Sequence, residues 1–390
     1  MKKQLLLFVL CSLFLVSCEK NDLDLIVTNS TLAPNEFALL FPGETVFGLN
    51  HVEVNNGETV FLHTNSFDNV TLTLIDDSGR IIWTKEHHNI LGYIASHISA
   101  FPFLHNNKII VFTTGSGLHR YEFDLNGELL NSKTIIANDG GYRLSKEGGV
   151  VHGVKTIVIN PGTDTRIIKV SLEGDLIETI NVSTSSNISS ENWVKIKNDR
   201  IYMFGRSLNQ GPDLSDDIYF CEVFDRLGNL ITRIETPTPA NQLPHTQLVL
   251  NNGNILIAVA NYTSDISNNP NSYDLRLFDP QGALIRNLTF ESPGDNLQLR
   301  ELPNYKIAIA GKEKSSSSGM KQSQFVVLNS SLDEMYRRNI GSFDGNETFY
   351  ILKEYLNSYH MYGFTSGTDG DFDLPNNSST RDLFYLKLDK

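Results

Sequence analysis

The segment LRLFDPQGALI, residues 275–285, contains an alternating strand, a tight turn with Asp279 and Gly282, and the start of a second strand. The same pattern recurs as EVFDRLGNLI at 222–231, IKVSLEGDLI at 168–177, YEFDLNGELL at 121–130 and TLTLIDDSGRIIW at 71–83. Strict alternation of apolar and polar residues is typical of β-strands, and glycine suits the positive φ that such hairpin turns need. This repeated hairpin decides the fold.

The repeat is regular along the chain. Its turn glycines are Gly79, Gly127, Gly174, Gly228 and Gly282, which lie 47 to 54 residues apart. A sixth copy, VVLNSSLDEM at 326–335, has Asp333 where we expect the glycine. Two further strands precede each copy, as in the Asn-Gly hairpin of residues 248–260. Each unit therefore contains four strands in about 50 residues, which is the period of a propeller blade.

Six full units are expected, at residues 46–87, 93–136, 142–184, 192–236, 246–291 and 296–340. A seventh begins at residue 349 and ends without a fourth strand, whereas spare strand-like segments lie near the other end, at 24–28 and 36–41. We therefore predict an all-β, seven-bladed β-propeller of four-stranded blades, with the ring closed by an N-terminal strand. A pair of β-sandwiches and an open solenoid are the alternatives.

The amino terminus has the pattern of a secretory signal. Met1, Lys2 and Lys3 precede an apolar run over 5–16, and Ser17 and Cys18 follow it. The run is shorter than the roughly 20 residues that a transmembrane helix needs. A basic start, a short apolar centre and a small residue at the end predict a signal peptide.

This segment resembles the lipobox of bacterial lipoproteins, in which cleavage precedes the cysteine and that cysteine carries fatty acyl chains such as palmitate. The resemblance implies a signal peptide at 1–17 and a lipidated tether at 18–23 that starts with Cys18. The propeller domain that the repeat predicts then occupies residues 24–390. The resemblance also implies a cell-envelope protein anchored to the outer membrane, on its periplasmic or its surface face. An ordinary signal peptide with an incidental cysteine is the alternative.

The blades resemble those of seven-bladed propeller lipoproteins of Bacteroidota. The resemblance rests mainly on residues 363–373 and 382–389. Residues 77–83 also resemble the strand-closing motif of quinoprotein-like propellers, but the tryptophan of that motif occurs once, so no quinone cofactor is implied. The resemblance implies a fold and a capacity to bind partners, and it implies no reaction.

The net charge and the cysteine content of the chain argue against a nucleic-acid partner and against an internal disulfide. The formal net charge of −13 argues against nucleic acid. Cys11 is lost with the signal peptide and Cys18 takes the lipid, so Cys221 remains alone and no internal disulfide is expected. Cys221 lies in an alternating strand, which predicts a small buried side chain.

Calcium is the one cofactor that the sequence suggests. Asp369, Asp371 and Asp373 alternate in a loop between predicted strands, and alternate carboxylates can converge on a hard cation. The remainder of the EF-hand pattern is missing, so a solvated acidic turn is the alternative reading.

A ligand site is expected where the innermost strands begin, at the central face of the ring. Residues predicted there are His51, Arg143, Trp193, Gln247 and Tyr350. Aromatic and amide groups suit a sugar or a peptide, whereas packing and hydration of the channel is the alternative.

No motif of an enzyme stands out. The chain has no Gly-x-Ser-x-Gly elbow and no HExxH pair. We therefore expect a binding or scaffold module for a protein or glycan, with no catalytic residues. The alternative is a propeller enzyme acting on polysaccharide, either a glycoside hydrolase or a lyase, which needs two carboxylates or a His/Tyr/Arg set at one pocket.

Overall fold

The structure is a computed structural model. It describes residues 36–41, 47–54, 58–64, 69–76, 79–88, 90, 100–114, 117–139, 142–147, 149–158, 163–184, 193–207, 218–237, 242–262, 270–291, 295–312, 323–340, 347–355, 357–365 and 382–390. Within these ranges the chain is almost entirely β-strand, and the helical part is one 3-10 turn at Pro303–Tyr305.

The strands follow one another through the chain in groups that match the predicted units. The first fourteen are β1 (Phe37–Phe41), β2 (Phe47–Glu53), β3 (Thr59–Thr64), β4 (Asn69–Ile75), β5 (Ile81–His88), β6 (Ala100–His105), β7 (Lys108–Thr114), β8 (Leu118–Phe123), β9 (Leu129–Ile136), β10 (Arg143–Glu147), β11 (Val150–Val158), β12 (Thr163–Ser171), β13 (Leu176–Thr184) and β14 (Trp193–Lys197). The others are β15 (Arg200–Ser207), β16 (Ile218–Phe224), β17 (Leu230–Pro237), β18 (Gln242–Val249), β19 (Ile255–Asn261), β20 (Ser272–Phe278), β21 (Leu284–Glu291), β22 (Asp295–Leu302), β23 (Lys306–Lys312), β24 (Ser323–Leu328), β25 (Glu334–Ile340), β26 (Glu347–Tyr355), β27 (Ser358–Thr365) and β28 (Asp382–Asp389).

The described strands form seven four-stranded sheets, which are the blades. Six blades use consecutive strands, from β2–β5 to β22–β25. The seventh contains β26, β27, β28 and β1, with Phe37 opposite Lys387 and Phe41 opposite Leu383. The predicted propeller and its closure by an N-terminal strand are confirmed. The segment at 36–41 supplies that strand, and the other candidate, 24–28, lies outside the described residues.

In the first, second, fourth and fifth blades, the Asp and Gly of the repeat shape the turn before the outer strand. Asp279 Oδ1 accepts hydrogen bonds from the backbone N–H groups of Gln281 (2.9 Å) and Ala283 (2.8 Å). Gly282, at φ +93°, donates its N–H to the Asp279 carbonyl at 3.0 Å. The side chain thus replaces a backbone partner at the turn, and glycine provides the left-handed conformation.

The sixth copy solves the same turn with different residues. Asn329 Oδ1 accepts from the N–H groups of Ser331 (2.8 Å) and Asp333 (2.9 Å). Leu332 has φ +62° and occupies the position of the glycine. The sequence alignment that set Asp333 opposite the glycines is therefore wrong by one residue. The asparagine bonds hold the leucine in a conformation that leucine rarely adopts.

A β-bulge follows each of these turns in the first six blades. In the fifth blade Leu277 faces Arg286 and Phe278 faces Leu284, so Ile285 is an extra residue in its strand. Leu284 and Ile285 are both exposed. Regular alternation would turn one of two consecutive residues inward, and the bulge removes that requirement.

The apolar core lies between adjacent blades. Leu62 and Leu72 of the first blade pack with Ile109 of the second. Phe325 of the sixth blade packs with Met361 of the seventh. Both faces of the middle strands are therefore covered, which explains why those strands are apolar along most of their length.

Candidate ligand site at the inner strands

The first strand of each blade lies at the axis of the ring. First strands of neighbouring blades contact one another, as β2 does with β6, β10 with β14, and β22 with both β18 and β26. Each of them forms a hairpin with the second strand of its blade. Side chains of these strands are the ones placed to meet a ligand at the centre.

Three inner strands carry a cation at the same register. When the cross-strand pairs of each hairpin are counted from the turn, Lys195, Arg300 and Lys353 each occupy the third pair. Lys353 forms an ion pair with Glu53 of the first blade. Arg143 is the first residue of β10. It lies two residues before the position that is third from the turn in its own hairpin.

Arg143, Lys195 and Arg300 are here called the basic cluster, because the charges of Arg143 and Arg300 both act on Lys195. Burial lowers the pKa of Lys195, and the positive charges of Arg300 and Arg143 lower it further. Burial also lowers the pKa of Arg300, an effect that Glu301 opposes. All three side chains are exposed to solvent. Lys195 and Arg300 are thus accessible to solvent yet surrounded by protein, and cations in such a setting attract anions more strongly than cations on an open surface.

The carboxylate next to the basic cluster has other partners. Glu301 Oε2 accepts from Lys197 Nζ at 2.8 Å, and Glu301 Oε1 accepts from the backbone N–H of Asn251 at 2.8 Å. Lys197 also donates to the Val249 carbonyl at 2.7 Å. These bonds join the inner strands of the fourth, fifth and sixth blades at one side of the channel and hold Glu301 in place.

The predicted site residues are distributed over five inner strands. Arg143 belongs to the basic cluster, whereas His51 stacks on Tyr362 of the seventh blade, with ring centroids 5.8 Å apart. Gln247 is half-buried on β18. Trp193 begins β14 and Tyr350 lies within β26, but their side chains are outside the described part of the structure. The structure thus brings Arg143 beside Lys195, which follows Trp193 by two residues.

Lys195 and Arg300 are the residues that sequence reasoning missed. Both interrupt strands that the repeat already assigned to the innermost position. A charged residue in a predicted innermost strand was the signal that could have identified each of them. The sequence alone does not show that the two residues are close together, since 105 residues separate them in the chain.

Of the other residues that the sequence singles out, Cys221 lies in the described part of the structure, whereas the lipidation and calcium sites do not. Cys18 and the loop with Asp369, Asp371 and Asp373 lie outside the described residues, so lipidation and calcium binding stay predictions. Within the described ranges no group of three or more His, Cys, Asp or Glu side chains is arranged to hold a metal. Cys221 is buried and not disulfide-bonded, and burial raises its pKa well above the ordinary value. No helix in those ranges has the length and apolar character needed to cross a bilayer.

Comparison of the sequence with known protein families and with curated proteins gives no match. Solved structures do resemble the chain. Raptor from Chaetomium thermophilum is 11% identical, with a TM-score of 0.50 over 89% of this chain and 28% of that one. The β-propeller domain of the Trilobed protease from Pyrococcus furiosus is 10% identical, with a TM-score of 0.49 over 87% and 94%.

A protein of unknown function from Bacteroides caccae is 12% identical, with a TM-score of 0.34 over 69% of this chain and 90% of that one. Identities of this size bear on the fold alone. The strand pairing itself shows the seven-bladed β-propeller.

Proposed function

We propose that this protein is a lipid-anchored, extracytoplasmic binding or scaffold module whose protein or glycan partner docks at the central channel. The observation that carries the proposal is the basic cluster of Arg143, Lys195 and Arg300. Three neighbouring cations in an otherwise acidic protein favour a partner with negative groups. Sulfated or carboxylated glycans and acidic peptide segments have that chemistry.

The anchor rests on the lipobox-like segment that ends at Cys18. Lipidation would hold the mature chain at the outer membrane, and the short acidic tether at 18–23 would separate the propeller from the bilayer. Each buried methylene adds about 0.8 kcal/mol to membrane binding, so two or more acyl chains anchor a protein stably.

The test uses a soluble form that begins after Cys18. Binding of heparin, poly-L-glutamate and neutral dextran is measured by calorimetry at two salt concentrations. We expect the two polyanions to bind, more weakly at high salt, and dextran not to bind. Lys195→Gln with Arg300→Gln should weaken binding by about tenfold or more, because hydrogen bonds to charged groups are worth about 1.5–3 kcal/mol.

Lys133→Gln is the matched control, because it removes one charge from the exposed outer strand β9. Trp193→Ala tests the predicted stacking contribution. Equal binding by all variants would contradict docking at the channel. The same samples are assayed for cleavage products, and steady product formation would support the alternative of a glycoside hydrolase or lyase.

A further inference from the structure

A separate cavity of about 300 Å³ lies between the third and fourth blades. The third blade contributes His152, Lys169 and Glu178, which are direct cross-strand neighbours on β11, β12 and β13. The fourth contributes Asp199, from the turn between β14 and β15, and Arg226, from the turn between β16 and β17. A row of three polar side chains thus faces two charged turns.

This cavity, here called the blade 3–4 pocket, is distinct from the basic cluster. Its turn residues join first to second and third to fourth strands, which places them at one face of the ring. Trp193 and Arg143 begin their inner strands and therefore lie toward the opposite face. None of the three basic-cluster residues lines the pocket, although Lys195 directly precedes the lining residue Ile196 in the chain.

The floor of the pocket is apolar. Ile180, Ile196 and Ile201 line it and belong to the core between the two blades. Small-molecule sites typically measure about 300–1,000 Å³ and combine apolar walls with a few polar groups. The pocket is at the lower end of that range, which suits a ligand no larger than a monosaccharide.

His152 is the buried polar group of the pocket. It is 6% exposed, and its Nδ1 has no hydrogen-bond partner among the described residues. Burial lowers its pKa to about 4, Lys169 adds to the effect and Asp199 opposes it. The imidazole is therefore neutral at pH 7, with one nitrogen that donates and one that accepts. A hydroxyl group can satisfy either role.

The charged groups of the pocket are not paired with one another. Among the described residues, no ion pair joins Lys169 to Glu178, although the two strands set them opposite each other. Arg226 and Asp199 likewise form no ion pair there. Two cations and two carboxylates therefore line one small space, and a ligand with a single negative charge and several hydroxyls could use all of them.

We propose that the blade 3–4 pocket binds a small molecule that carries a carboxylate and neighbouring hydroxyl groups, as a sugar acid does. Lys169 and Arg226 pair with the carboxylate. His152, Glu178 and Asp199 exchange hydrogen bonds with the hydroxyls, and the carbon face of the ligand packs on the isoleucine floor. This proposal is independent of the docking proposed for the channel.

The experiment uses the soluble form that begins after Cys18. D-glucuronate, D-galacturonate and D-glucose are each titrated into it, and binding is measured by calorimetry. We expect a sugar acid to bind and glucose to bind at least about tenfold more weakly, because a charge-assisted hydrogen bond is worth about 1.5–3 kcal/mol. Lys169→Gln and Arg226→Gln should each reduce affinity for the acid and leave the melting temperature near that of the wild type.

Arg286→Gln is the matched control, since it removes the same charge from β21 of the fifth blade, where Arg286 pairs with Asp333. His152→Asn tests the hydroxyl contact, with a thermal melt to show that the variant is folded. Absence of binding at millimolar sugar acid would overturn the proposal. So would equal affinity for glucose, or sugar-acid binding that Lys169→Gln and Arg226→Gln leave unchanged.

Discussion

Gly363 shows how strictly one position in a propeller can be constrained. It lies on β27 between Phe349 of β26 and Phe384 of β28. A Cβ added there would stand 2.0 Å from the backbone oxygen of Thr348 and 2.9 Å from the ring of Phe384. A carbonyl held in a sheet cannot move aside cheaply, so the close approach of β26 requires glycine.

We predict that Gly363→Ala destabilises the protein by roughly 2 kcal/mol or more, through overpacking against the backbone of β26. Gly149→Ala is the control, because a Cβ there would meet nothing within 4 Å and should change stability by less than about 0.5 kcal/mol. Thermal and urea unfolding followed by circular dichroism measure both. Indistinguishable melting curves for the two variants would contradict this account of Gly363.

At the scale of elements, β1 is the piece that closes the ring. It pairs with β28 over Phe37–Phe41. Just before it, buried Glu36 accepts a hydrogen bond from the Asp389 N–H at 3.1 Å and forms an ion pair with Arg338 of β25. The amino-terminal segment therefore contacts both the sixth and the seventh blades.

We predict that deletion of residues 19–42 makes unfolding less cooperative and the protein less soluble, because β28 then presents an open strand edge. A shorter deletion of residues 19–35 keeps Glu36 and β1 and serves as the control. Urea unfolding and size-exclusion chromatography compare the two. If both deletions unfold as the full chain does, β1 does not stabilise the ring.

At the scale of the whole molecule, the proposed lipid anchor at Cys18 would determine where the propeller acts. We predict that Cys18→Ser abolishes acylation, so the protein leaves the detergent-rich phase in Triton X-114 partition and its intact mass lacks acyl chains. Cys11→Ser is the matched control, because that residue lies within the predicted signal peptide at 1–17 and would be removed with it. Membrane association of the Cys18→Ser variant without acyl mass would show that another feature holds the protein at the membrane.

The sequence by itself determined the blades. The hairpin at 275–285 and its copies depend on interactions within about ten residues, where Asp279 and Gly282 select the turn and alternation selects the strands. Such local preferences are readable without coordinates, and the deficit of one strand at the end implied closure by the beginning. Even here the sequence put Asp333 at the glycine position that Leu332 occupies, since the asparagine bonds that support the positive φ of Leu332 cannot be inferred from composition.

Only the tertiary structure decided the candidate sites. Lys195 and Arg300 come close enough to interact electrostatically because β14 and β22 both lie at the axis of the ring, and no local signal encodes that approach. The blade 3–4 pocket likewise needs the row of His152, Lys169 and Glu178 to face the turn of a different blade. The local preferences for turns and strands are nearly the same in every blade, so the sequence reveals them repeatedly. A binding site depends instead on the few side chains that differ between blades, and on the distances that closure of the ring sets between those side chains.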